Sequence, residues 1–225
     1  VAEWFANKQS IEQHERAAGR GMGGASATNC YSGGVNRQGE TMGPSREERH
    51  DSYVAKARAE LESLGERGVL MAGNAFSSVL LIKGESTTEE RAGGTPFAGE
   101  DGAALRAALQ ALGFAPEDWS GLAAWDETGA SLDAPLLREA ICALDPATCV
   151  VCDAAAANLV REAFADDLAS LESFDEAMLV DGVLAQVAGM RMMSLGGFAA
   201  SLADKHQKQV MWRRLKQLPP LGEPY

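Results

Sequence analysis

Residues 78–102 read Ser78-Val-Leu-Leu-Ile-Lys-Gly-Glu-Ser-Thr-Thr-Glu-Glu-Arg-Ala-Gly-Gly-Thr-Pro-Phe-Ala-Gly-Glu-Asp-Gly102. Ser78 to Ile82 is a short apolar run rich in β-formers, which predicts a parallel strand covered on both faces. Lys83-Gly84-Glu85 ends it, and Gly93, Gly94, Pro96 and Gly99 punctuate a long loop. Asp101 precedes a helix over 103–112, with Leu105, Leu109 and Leu112 on one face and Gly113 as the stop. Ligands of open α/β sheets bind beyond the carboxyl ends of strands. The loop from Gly84 to Gly99 is therefore the first candidate site.

Outward from this stretch, strands and helices alternate. Ser45 to Leu64 predicts a helix with Ser45 as N-cap and Val54, Ala57, Leu61 and Leu64 as its apolar stripe. Met71 to Phe76 bridges to the central strand. Strands are expected over 122–125 and 148–152. Helices are expected over 134–144, capped by Asp133 and stopped by Pro146, and over 154–164. Residues 166–175 read as an acidic surface connection. Two further strands, 177–180 and 187–194, flank an Asp181-Gly182 turn. A last helix over 199–218 ends at Pro219-Pro220. This alternation predicts an α/β domain over 45–225, with a central, mostly parallel sheet of about four strands between helix layers. Residues 1–44 read as a partly flexible N-terminal extension, because 19–43 are rich in Gly, Ser, Thr and Asn.

The net charge is −12, and its distribution matters more than its size. Between Glu117 and Asp181 fifteen acidic residues face only Arg138 and Arg161. From Asp204 to Lys216 the sign reverses, with Lys205, Lys208, Arg213, Arg214 and Lys216. That basic run reads as a solvated helix face, or as a local surface that holds phosphates. No stretch is apolar enough for a transmembrane helix, and no signal peptide is expected, so no membrane partner is predicted.

Cys149-Val-Val-Cys152 has the C-x-x-C spacing but lies in a predicted strand. Residues three apart on a strand point to opposite faces, so the pair cannot clip one metal ion. No metal and no cofactor are expected. Unpaired thiols fit a reducing cytoplasm.

The central stretch resembles motif 1 of the uracil-DNA glycosylase superfamily, closest to the bacterial family 4 form. There a strand leads into Gly-Glu-Ala-Pro-Gly and then into Gly-x-Pro-Phe-Val-Gly and a helix. Gly84-Glu85 and Gly94-Thr-Pro96-Phe97-Ala-Gly99 match, while Ser86-Thr87-Thr88 replace Ala-Pro-Gly. The order of elements extends the resemblance across residues 70–218. Lys208-Gln-Val-Met-Trp212-Arg-Arg-Leu215-Lys216 is similar to the helix that follows motif 2.

The resemblance implies a three-layer α/β/α fold, a flipped-base pocket and N-glycosidic chemistry on DNA. It also exposes departures. Gly197 and Phe198 stand where motif 2 has His and Pro. Trp125-Asp126-Glu127 stands where the family has an Asn that reads the uracil edge. Only Cys30 precedes motif 1, so the family's iron–sulfur cysteines are missing. Excision needs a donor at the uracil O2, typically worth about 10²–10³ in rate, and a held, stacked base.

By resemblance, Glu85 is the candidate catalytic carboxylate, to be weighed against a structural one that bonds loop amides. Phe97 is a base-stacking candidate or a core residue. Thr87 and Thr88 are turn-capping hydroxyls or ligand contacts. Gly84, Ser86, Pro96, Asp126, Ser194, Gly196 and Gly197 complete the candidate ligand-binding set. The expected function is a diverged glycosylase-like protein that has lost ordinary uracil excision and keeps a base- or nucleotide-binding pocket. The alternatives are excision of another damaged base, and a scaffold serving protein partners. Nucleic acid or a nucleotide is the expected ligand.

Overall fold

The computed structural model describes residues 45–218. The expected N-terminal extension and the Pro219-Pro220 stop lie outside the described residues. A six-stranded sheet runs in the order β1-β3-β2-β4-β6-β5. Its strands are β1 (Met71–Gly73), β2 (Val79–Lys83), β3 (Ser120–Ala123), β4 (Thr148–Val151), β5 (Leu184–Val187) and β6 (Met190–Ser194). β2 is parallel to β3 and β4, and β4 to β6. β1 and β5 pair antiparallel at the two ends. The sheet is thus mixed and mostly parallel, with six strands where about four were expected.

Side-chain alternation along β2 sorts the core. Leu80 and Ile82 point into one cluster with Cys149, Val151 and Met192. Helices α1 (Arg46–Glu66), α4 (Ala134–Leu144) and α5 (Ala154–Ala163) cover that face through Leu61, Leu64, Leu137, Ile141 and Val160. Val79 and Leu81 point the other way, with Val150, Cys152 and Met193. There α3 (Glu100–Ala111) and α9 (Lys205–Leu215) contribute Leu105, Leu109, Met211 and Leu215. Cys149 and Cys152 therefore sit on opposite faces, as strand geometry requires. Both are buried free thiols, and burial pushes both well above the ordinary thiol range.

The helix starts follow local chemistry. Asp133, Asp153 and Asp204 each accept an amide of the first turn, from Leu136, Ala156 and Gln207 at 2.7, 2.8 and 2.8 Å. Short helices fill the connections: α2 (Thr88–Arg91), α6 (Ala165–Ala169), α7 (Phe174–Ala177) and α8 (Phe198–Ser201).

Several expected boundaries are corrected. The segment 177–180 is not a strand. Ser173 caps α7, and Leu179 turns the chain at φ 47°. The apolar run 187–194 is a hairpin rather than one strand. Ala188 (φ 48°) and Gly189 (φ 86°) make the two-residue turn between Val187 and Met190, the sign pattern of a type I′ turn. The strand expected over 122–125 lies at Ser120–Ala123, and Trp125 instead bridges Ser131. The segment expected to bridge at 71–76 carries edge strand β1. The acidic connection at 166–175 contains most of α6. The last helix is broken before Asp204, which caps α9 anew. Among the described residues, no helix is long and apolar enough to cross a membrane.

Candidate functional site

The loop after β2 leads to α3 on one face of the sheet. The loops after β3 and β4 lead to α4 and α5 on the other. The chain directions diverge at the carboxyl end of β2, and such a switch point leaves a crevice. A cavity of about 940 Å³ lies there. Its wall comes from all three loops: Gly84, Glu85 and Glu90 after β2, Trp125 and Asp126 after β3, and Ala155 after β4. The volume is at the upper end of the range for small-molecule sites.

Beneath the cavity lies a buried ion cluster. Lys83 ends the otherwise apolar β2, and its side chain is 4% exposed. Its ammonium donates to both oxygens of Glu90, at 3.1 and 3.0 Å, and to Asp101 at 2.5 Å. Burial alone would lower the Lys83 pKa. The hydrogen bonds to Asp101 and Glu90 outweigh it, and the result is raised. Burial likewise works to raise Glu90. The amides of Thr87 and Phe97 and the Lys83 ammonium win, and Glu90 is lowered.

Glu90 also organises the loop. Thr87 Oγ1 accepts the Glu90 amide at 3.2 Å, and Glu90 Oε2 accepts the Thr87 amide at 2.7 Å. This reciprocal capping box starts α2. Oε1 of the same carboxylate accepts the Phe97 amide at 3.0 Å. Thr87 is thus a cap, as one of its two readings had it.

Asp153 fixes the first part of the loop. Its Oδ2 accepts the amides of Gly84 at 2.8 Å and Glu85 at 3.0 Å, while Oδ1 caps α5. The approach is close enough that a Cβ on Gly84 would lie 2.3 Å from the Ala156 nitrogen. Only glycine fits there.

The other candidate residues fall in three places. Gly84, Glu85, Ser86 and Asp126 meet in the cavity. Glu85 is exposed, and Ser86 Oγ accepts Arg91 Nε at 2.8 Å. Asp126 accepts the Thr128 hydroxyl and amide and the Ala130 amide. These bonds, the Thr128 hydroxyl first, hold its pKa below the usual carboxylate value.

Pro96 and Phe97 are buried below the cavity and do not line it. Phe97 is 1% exposed, at φ 62°, with its ring against Gly121 and its carbonyl accepting Arg106 at 2.9 Å. In this position the ring offers no face for a base to stack on. The core placement follows from the bonds that hold its backbone at both ends.

Ser194, Gly196 and Gly197 lie at the end of β6, away from the cavity lining. Ser194 Oγ is fully buried and donates to Asp181 at 2.7 Å. Gly196 and Gly197 line a separate hollow of about 310 Å³ with Asp181 and Arg214. The two loops expected to share one site therefore do not share a cavity.

Lys83, Glu90, Asp101 and Asp153 were absent from the expected set. Thr87-x-x-Glu90 carries the capping-box spacing, and Asp153 follows a strand at a helix start. Those two signals were legible. The convergence of Lys83 on Asp101 was not, since nothing local relates them. Among the described residues, no three His, Cys, Asp or Glu side chains converge to hold a metal ion. In comparisons with known proteins, no family model and no curated protein matches the chain.

Proposed function

We propose that this chain is a diverged relative of the uracil-DNA glycosylases that binds a nucleobase-bearing ligand and no longer performs ordinary uracil excision. The observation that carries the reading is the position of the cavity, at the switch point where the β2, β3 and β4 loops meet. The motif 1 resemblance at Gly84-Glu85 and Gly94 to Gly99 supports the same placement, and helices on both sheet faces are compatible with the three-layer architecture. The wall carries donors and acceptors suited to a base edge in Ser86, Asp126 and Thr128, with the apolar Leu70 and Ala124 beside them.

The chemistry of the wall argues against excision. Among the described residues it holds no histidine and no asparagine. Its one cationic side chain is Arg91, whose Nε donates to Ser86. An anion forming on a departing base would meet three exposed or half-buried carboxylates, Glu85, Asp126 and Glu127, against one cation.

The test exposes purified protein to ribonucleosides, and to single- and double-stranded oligonucleotides carrying uracil or hypoxanthine, with Glu85→Ala as control. Binding without cleavage is expected. Cleavage that disappears in Glu85→Ala would instead make the protein a glycosylase with altered residues. Absence of binding at low salt, where phosphate contacts are strongest, would leave a scaffold for protein partners.

A further inference from the structure

The geometry points to Asp153 as a built-in occupant of the anion nest in the loop after β2, so that the cavity takes unphosphorylated bases or nucleosides and rejects phosphate. This inference rests on the reading of the cavity as a base pocket and narrows its ligand class.

Successive backbone N–H groups that converge on one point form a concave anion site. When such a loop leads to a helix N-terminus, the helix dipole adds to the attraction. Here the amides of Gly84 and Glu85 converge on one oxygen, Asp153 Oδ2, at 2.8 and 3.0 Å. The second oxygen takes the Ala156 amide in the first turn of α5, a ten-residue helix. Asp153 is 6% exposed. The three donors that a phosphate would use are thus filled by the protein's own carboxylate. The loop packs closely on the start of α5, where a Cβ added to Gly84 would lie 2.3 Å from the Ala156 nitrogen.

The rest of the wall is net negative. Glu85, Asp126 and Glu127 line the cavity with the buried Glu90 and outnumber the one cation, Arg91, whose Nε donates to Ser86. A phosphate entering this wall finds the Gly84 and Glu85 amides taken and meets more carboxylates than cations. A neutral base with N–H donors meets acceptors.

The test follows the Gly84 and Glu85 amides of the full chain by NMR during titration with inorganic phosphate. In the wild type they stay unmoved. In Asp153→Ser, whose hydroxyl can still cap α5 but lacks a second oxygen for the loop, they shift saturably. Asp153→Asn, which keeps the size and removes the charge, responds in between and serves if the serine variant does not fold. A second arm compares adenosine, guanosine, cytidine and uridine with their 5′-monophosphates. The nucleoside that binds does so about tenfold more tightly than its monophosphate at low ionic strength, and salt narrows the gap. A saturable phosphate shift in the wild type, unmoved amides in a folded Asp153 variant, or a monophosphate that binds as tightly as its nucleoside would each overturn the inference. If no nucleoside or monophosphate binds, the base-pocket reading fails by itself, and the phosphate arm still decides the role of Asp153.

Discussion

Glu90 accepts the backbone amide of Phe97 at 3.0 Å, and this bond ties the wall of the cavity to the core of the sheet. One carboxylate thereby meets a cation, two loop amides and a helix start. Removing the Lys83 ammonium leaves carboxylate charge on side chains that are only 3% and 9% exposed.

Lys83→Met is the direct probe of that arrangement. It leaves Glu90 and Asp101, side chains 3% and 9% exposed, without their counter-ion. The loss of one partner of a buried ion group costs about 3–5 kcal/mol. Urea unfolding should show a lower midpoint with an unchanged slope. A midpoint equal to wild type would mean the ammonium contributes nothing net.

The pH dependence has two limbs. Glu90 is lowered in the folded protein, so its contribution is present above the unfolded value of about 4.3. It fades as pH falls through the folded pKa. Lys83 is raised, so its contribution is complete below about 10.4 and fades as pH rises through the folded pKa. Glu90→Gln should flatten the acid limb of a plot of unfolding free energy against pH. An acid limb of unchanged steepness would show that other carboxylates dominate it.

Phe97→Ala separates two roles for the ring. Its burial against Gly121 predicts a loss of about 3–5 kcal/mol in thermal or urea unfolding. Ligand affinity of the folded fraction should stay as in wild type, because the ring does not reach the cavity. Weakened affinity at full folding would return Phe97 to the binding surface.

Thiol labelling reads the sheet faces. Cys142 is exposed, while Cys149 and Cys152 are buried with their thiols pushed up by burial. A thiol reagent at neutral pH should modify Cys142 in the native protein and reach Cys149 and Cys152 only on unfolding. Peptide mapping after a short pulse distinguishes the sites.

The hairpin turn offers a stabilising change. Ala188 is exposed at φ 48°, a conformation that disfavours side chains other than Asn, Asp and Gly. Ala188→Asn should raise stability by up to about 1 kcal/mol. A lower melting temperature would show that the turn has another constraint.

The sequence was most legible where one local rule decides. The apolar run at 78–82, the aspartate cap at 133, and the opposite-facing cysteines all follow from periodicity or capping. The edges were less legible. β1 has three residues, too short for a periodic signal, and the hairpin at Ala188-Gly189 hides inside an apolar run whose first turn residue is not the usual type. At the site, the positions brought together on one loop were readable, namely Gly84, Glu85 and Ser86. The burial of Phe97 was not, because it depends on Gly121 and on Arg106 across the fold. Nor was the separation of the β6 loop from the cavity, which is set by strand order.

The short antiparallel strands at both ends of the sheet bear on how this protein behaves in a crowded solution. β1 offers three residues and β5 four, so neither margin presents a long run of open backbone groups to another chain. Strand-to-strand association between copies would gain few bonds before running into a turn. The parallel strands, which are slow to pair and hazardous when bare, are enclosed between these two margins. Among the described residues, the brevity of both edge strands limits fibril-like stacking by geometry.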